Sequence, residues 1–307
     1  MAKELNEQEK KQVGPDYLGL FKKAFGIVWK AKYLWFLGLL SAGSFMPSFN
    51  FPAGVGQNNS GKATLDFQYF SSQVMQWIQN NLFLVGMAVS GIVVFFLCFL
   101  VISIMAKAGL IFSVDEISKS GKSSVGLAFK YGWHKFWRLL GLSVLIGLIM
   151  LAFILVLLVV GAGLWSVKPL FILFVILAVL ALIFVAVLFG ITFEYAARYA
   201  TLKDKKAIDA LMGGIRLIFE RKKETFLLWL ATVAIAIVFG MGLAIGIIFL
   251  ILVLVLLGLA VFFLAPVLII FFIALSAFVF LAAALVAAGF ISSLTSAYWT
   301  LAFNEIG

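Results

Sequence analysis

From Thr225 to Asn304 the chain runs for 80 residues without a single Asp, Glu, Lys, Arg or His. At about 1.5 Å per residue such a run makes roughly 120 Å of helix, far more apolar length than one soluble core can cover. The rest of the chain repeats the theme. Tyr33 to Gly61, Phe67 to Ala106, Leu139 to Val167 and Pro169 to Phe193 are also free of charge. Charged residues make up 12% of the chain, against about 25% in an ordinary soluble domain. With 64% hydrophobic residues and a mean hydropathy of +1.18, soluble globular, disordered and fibrous classes are excluded. A polytopic membrane protein remains.

A membrane span needs roughly 20 apolar residues. None of the runs alternates as a membrane barrel strand does. The expected fold is therefore all-α: a polytopic membrane helical bundle with six transmembrane helices. The first four fall at about 33–50, 82–106, 139–161 and 170–195. The last run holds two long helices or three short ones. Gly161 and Gly163 precede Pro169 as Gly258 precedes Pro266, and each reads as a turn followed by a helix start. That parallel favours two, Phe226 to Leu257 and about Ala260 to Phe303, with seven spans as the alternative. Residues 1–16 read as a mobile polar tail, 17–307 as a single bundle and 47–81 as an external loop. Phe67, Phe70, Val74, Trp77 and Ile78 suggest a short interfacial helix in that loop. The first apolar stretch starts near Tyr33, late for a signal peptide, so the N-terminus reads as retained.

Six spans put the N-tail, segments 107–138 and 196–224 and the C-terminus on one side, with 21 of the 23 Lys and Arg residues. Only Lys62 and Lys168 remain opposite. Basic loops stay in the cytoplasm, so a bacterial-type cytoplasmic membrane with both termini inside is expected. The net charge of +10 is then a topology signal, and nucleic acid is not an expected partner. Cys98 is the only cysteine, so no intrachain disulfide forms and no Cys-based zinc site exists.

Each pair of spans follows a basic amphipathic stretch. Asp16 to Lys32 places Leu18, Phe21, Phe25 and Val28 on one face, apart from Lys22, Lys23 and Lys30. Ser124 to Arg138 places Phe129, Trp133, Phe136, Trp137 and Leu140 in helical register, with Lys130, His134, Lys135 and Arg138 between them. Asp204 to Glu224 repeats the pattern with Ile208, Leu211, Met212, Ile215, Ile218 and Phe219. Ala24-Phe25 with Trp29 parallels Ala128-Phe129 with Trp133, and Leu37-Gly38-Leu39 parallels Leu140-Gly141-Leu142. Ala210 and Gly214 parallel Ala128 and Gly132. The expected unit is amphipathic helix, span out, span back, used three times over about 17–106, 121–200 and 204–303.

The run Ala106-Lys107-Ala108-Gly109-Leu110-Ile111, then Val114-Asp115-Glu116-Ile117, then Ala128-Phe129, Gly132-Trp133 and Phe136-Trp137 resembles the membrane domain found ahead of some bacterial glycerophosphodiester phosphodiesterases. Related stand-alone bacterial membrane proteins of unknown function share the look. The resemblance implies a six-span helical bundle with cytoplasmic amphipathic helices. It does not imply phosphodiester hydrolysis, because the catalytic domain is absent.

Chemistry inside the spans is sparse. Spans two, three, five and six, as drawn, hold no ionisable group between their ends, which argues against proton pumps, ion-coupled carriers and voltage sensors. Metal catalysis lacks ligands, no phosphate or dinucleotide fingerprint appears, and the single His134 has no marked serine partner. No enzyme activity and no cofactor are expected. The expected function is binding or organising anionic lipid, with assistance to lipid handling or membrane assembly. Lys22, Lys23, Lys30, Lys130, Lys135, Arg138, Arg216, Arg221, Lys222 and Lys223 would meet headgroups beside Trp29, Trp133 and Trp137. The rivals are transport of a neutral or amphipathic solute through a crevice between units, and an accessory role in a larger membrane complex. Glu194 and Arg198 read as an interfacial ion pair with a snorkelling arginine, and Lys107 as an interfacial anchor. Gly240, Gly242, Gly246 and Pro266 mark either close helix packing or a helix break. Ser292, Thr295, Ser296 and Thr300 read as hydroxyls bonded back to their own helix, or as a crevice wall.

Overall fold

The computed structural model describes residues 15–42, 75–264 and 269–307, and among the described residues every regular element is helical. Helix α1 spans Tyr17–Lys30 and starts at Asp16, whose carboxylate accepts from the Gly19 N–H at 3.0 Å. It buries Leu20, Ala24, Ile27 and Val28 and turns into α2, Tyr33–Ala42. Helix α3 covers Leu82–Ser120 and ends at Gly121, whose φ of 75° is the left-handed cap that glycine adopts without penalty. Helix α4 covers Val125–Leu164, with Ser124 as its N-cap, and α5 covers Lys168–Thr201, with Pro169 in its first turn. Helices α6, α7 and α8 cover Ala207–Glu220, Lys222–Leu264 and Ile269–Ile306.

Five of these, α3, α4, α5, α7 and α8, are long and apolar enough to cross a membrane. Of the first expected span, only Tyr33–Ala42 is described, as the ten-residue helix α2, which by itself is too short to cross a membrane. Its remainder past Ala42, and the external loop as far as residue 74, lie outside the described residues. Residues 75–80 are helical, where the interfacial segment was expected. The tail 1–14 is likewise outside.

The final run divides into two helices, but later than the glycine suggested. Helix α7 continues through Gly258 to Leu264. A single glycine costs about 1 kcal/mol in a helix and does not end one. Its missing side chain is used instead for packing: a methyl there would come within 3.0 Å of the Phe272 ring on α8. Gly161 near the end of α4 stands in the same relation to Phe174 on α5, also at 3.0 Å. The second amphipathic stretch differs from expectation too. It is not a separate helix but the first turns of the 40-residue α4.

Packing is concentrated at one end. The most apolar 18-residue window of each long helix is at most 6% buried. Buried residues gather instead at Ser103–Asp115 on α3, Ala128–Leu142 on α4, Thr192–Thr201 on α5 and Gly289–Phe303 on α8. A helix of 34 residues, the shortest of the five, is about 50 Å long, and a bilayer core is about 30 Å thick. Each long helix therefore has several turns to place in the hub, while its bare apolar segment needs no protein partner in lipid.

The hub is built as a ring. Helix α4 lies on α3, α6 lies on α5, and α1 with α2 lies on α8. At each contact small residues let backbones touch. A methyl on Gly109 would sit 2.6 Å from the Ala128 carbonyl oxygen, Gly132 abuts the Met105 carbonyl, and Gly289 abuts that of Trp35. On α6, a methyl on Gly214 would lie 3.0 Å from the Thr192 carbonyl. Helices α3, α5 and α8 also meet one another, so these three form the inner ring.

Candidate functional site

Where α3, α5 and α8 converge, the hub encloses a charged cluster. Lys107 Nζ of α3 donates to Glu194 Oε1 of α5 at 2.8 Å, and Arg198 Nη1 donates to Glu194 Oε2 at 2.6 Å. Arg198 Nη2 donates to the Ser296 carbonyl of α8 at 2.9 Å. One carboxylate thus faces two cations, and the three inner helices are joined through it. The Arg198 side chain is 0% exposed and that of Lys107 is 9% exposed. The expected Glu194–Arg198 pair forms, but within the core, so the arginine is not snorkelled to a boundary. Lys107 is likewise a core residue and no interfacial anchor. Its ammonium also lies 5.8 Å from the centre of the Phe193 ring.

A second charged feature closes the α5–α6 connection. Asp204, in the left-handed region at φ 61°, accepts from both Lys135 Nζ and Arg138 Nη1 of α4. Arg138 also donates to the Asp204 carbonyl at 2.9 Å, and the Tyr131 hydroxyl donates to the Thr201 carbonyl at 2.6 Å. The Lys135 hydrogen bond, with help from Arg138, holds the Asp204 carboxyl below the usual range. Lys135 is 6% exposed and paired, so it is removed from the set facing headgroups. Sequence reasoning missed Asp204. Its only sign was a lone acid inside the basic run Lys203 to Lys206.

The other expected contact residues lie on the hub's surface. Trp29, Trp133 and Trp137 are 56%, 64% and 74% exposed, although each would be expected to bury its ring in a soluble protein. Lys22, Lys23, Lys30 and Lys130 are exposed alongside them. Arg216, Arg221, Lys222 and Lys223 are exposed around the α6–α7 junction, where Arg216 pairs with Glu220 and Arg221 with Glu224. His134 and Cys98 are exposed, and among the described residues no group of three His, Cys, Asp or Glu could hold a metal.

The glycines of α7 do neither of the things expected of them. The helix is unbroken through Gly240, Gly242 and Gly246, and a methyl at each would meet nothing within 4 Å. Gly242 and Gly246 instead line an apolar groove of about 580 Å³ between α7 and α8, opposite Ala283, Ala284 and Ala287. Pro266 lies outside the described residues. The hydroxyl cluster of α8 is absent from the groove. Thr300 donates back to the Ser296 carbonyl at 2.8 Å, and Ser293 bonds the Gly289 and Leu34 carbonyls. Ser292 meets Ser41 of α2 at 3.3 Å.

Residues 32–301 match the model of a family of unknown function (DUF7544), and the chain belongs to that family. No curated protein and no solved structure matches the chain.

Proposed function

We propose that this family member is a non-enzymatic, six-span protein of the bacterial-type cytoplasmic membrane that binds and organises anionic lipid around its basic hub. The observation that carries the reading is the exposure of Trp29, Trp133 and Trp137 beside lysines on the hub's outer face that have no carboxylate partner among the described residues. Exposed tryptophan with lysine suits the headgroup boundary, where each basic residue adds about 1 kcal/mol toward anionic lipid. The hub is the cytoplasmic end in this reading, because basic segments are retained there. Three related units, each an entering arm laid on the returning helix of the unit before it, account for the ring of α4 on α3, α6 on α5 and α1–α2 on α8. The matching Gly161–Phe174 and Gly258–Phe272 contacts support that kinship. The likeness to the phosphodiesterase-associated membrane domain stays a proposal about architecture.

The groove between α7 and α8 fits the same reading. Its lining of glycine, alanine, phenylalanine and aliphatic residues suits a lipid acyl chain. A polar solute would find no hydrogen-bonding side chain there, which weighs against the transport alternative.

The test uses the full chain in mixed bilayers of phosphatidylglycerol and phosphatidylcholine, with bromine on one lipid at a time. Tryptophan fluorescence should be quenched severalfold more by the brominated anionic lipid. The preference should fall with salt and in the combined variant Lys22→Gln, Lys130→Gln, Lys222→Gln and Lys223→Gln. Equal quenching by the two lipids refutes the proposal.

A further inference from the structure

We infer that a cleft between the α1–α2 corner and the α3–α4 turn is a binding site for a phosphate-bearing anion. The cleft has a volume of about 750 Å³ and gathers Lys23, Lys30, Lys32 and Lys122 from two separate parts of the chain. All four lysines are exposed, and none has a carboxylate partner among the described residues. The nearest acids along α3 do not supply one. Asp115 is engaged by Lys119 at 2.6 Å and by Asn304 at 2.8 Å, and Glu116 does not line the cleft.

Two features separate this place from an ordinary basic surface. Lysines near a helix C-terminus are attracted by its partial charge of about −0.5, and α1 and α3 both end here. Two such ends offset only about one of the four positive charges, so a local excess of about +3 remains. Tyr33 also lines the cleft, and its hydroxyl is buried without a hydrogen-bond partner among the described residues. A buried hydroxyl left unbonded costs free energy, and the excess of like charge along the cleft adds self-repulsion. One anion with several acceptor oxygens relieves both. Ser123 stands on the wall with its hydroxyl donating to the Ser113 hydroxyl at 3.4 Å, so its donor is engaged away from the cleft.

Four ammonium groups and one hydroxyl donor match a phosphate, whose oxygens only accept in the dianion. The chemistry is the same for a lipid phosphomonoester and for soluble phosphate. The inference deepens the lipid reading if the phosphate belongs to a lipid, and is independent of it if the phosphate is soluble. It differs from the rim proposal in demanding a single saturable site.

The experiment titrates the full chain in phosphatidylcholine nanodiscs by calorimetry, with dihexanoyl phosphatidic acid in one arm and inorganic phosphate in the other. One saturable site is expected, weakening from low to physiological salt. Saturation by phosphatidic acid alone assigns the lipid source, and saturation by inorganic phosphate assigns the soluble one. Lys32→Gln with Lys122→Gln should weaken binding about tenfold or more, the scale of two lost charge-assisted hydrogen bonds. Tyr33→Phe should weaken it about fivefold with the salt dependence kept. None of the four lysines forms an ion pair among the described residues, so the lysine variant should not lower the melting temperature. The lysine variant should also keep the rim's preference for brominated anionic lipid. Loss of that preference in the unaltered protein, with the titration intact, removes the rim proposal and leaves this one standing. No saturable binding of either probe, or equal binding by the lysine variant, overturns it.

Discussion

Glu194 is the residue on which the inner ring depends, since its two oxygens hold a cation from its own helix and one from α3. Removing one partner of a buried pair leaves the others charged and unmatched, which costs about 3–5 kcal/mol. Glu194→Gln should therefore destabilise the protein on that scale in denaturation by detergent. Replacing Lys107, Glu194 and Arg198 together by methionine should restore most of the loss, because an apolar core needs no charge matching. Asp204 makes a different prediction. Its carboxyl titrates below its usual value because Lys135 and Arg138 hold the ionised form. A depressed folded value means the clamp contributes fully above the unfolded pKa of about 3.9. It is lost as pH falls through the lower folded value. Proteolysis at residues 202–206 should stay slow down to about pH 4 and rise below it, whereas Asp204→Asn should be cut quickly at every pH.

Among the elements, the glycines divide into two kinds that a substitution series can separate. Gly132 carries the contact of α4 on α3, with the Met105 carbonyl against it. Gly132→Val should cost about 1–3 kcal/mol or more through overpacking. Gly242 and Gly246 face open space on the groove, so alanine there should be neutral or stabilise by up to about 1 kcal/mol through helix propensity alone. Both changes read out as shifts in the thermal midpoint in the same bilayer. Close packing was one of the two expectations at Gly242 and Gly246, and α8 does not approach them. A small-x-x-x-small pattern states that close approach is permitted. Only the path of the neighbouring helix states whether it happens, and the bulk of Phe272 against Gly258 and of Phe239, Phe280 and Phe290 along the groove holds α8 away.

Across the whole molecule, a compact hub carries long apolar arms whose most hydrophobic segments touch little protein. Lipid takes the place of a core along those arms, so stability should reside in the hub. Hydrogen exchange should show the slowest amides in Ser103–Asp115, Thr192–Thr201 and the matching part of α8. The proposed topology has its own test in single-cysteine variants lacking Cys98. A cysteine at Lys168 should be labelled from outside the cell, and one at Lys205 only after permeabilisation. Equal labelling of both overturns the orientation.

Much of the fold was legible because it rests on local physics. Charge-free length fixes helices in a membrane, 3.6-residue periodicity fixes the amphipathic faces, and Pro169 with Asp16 and Ser124 mark helix starts that depend on a few neighbouring atoms. The candidate site was legible only in part. The exposed tryptophans and lysines follow from helix faces, which sequence determines. The fates of Lys107, Lys135 and Arg198 do not, since each is decided by an acid 87, 69 or 4 residues away and by what else is packed around it. The convergence of Lys23, Lys30, Lys32 and Lys122 on one cleft is of the same kind. Sequence by itself determined the solvent this chain folds in and the faces of its helices, because both follow from short-range periodicity and transfer energy. Tertiary structure alone decided which charges meet between elements, Lys107 with Glu194 and Lys135 with Asp204, because that pairing depends on the distance between segments that are remote along the chain.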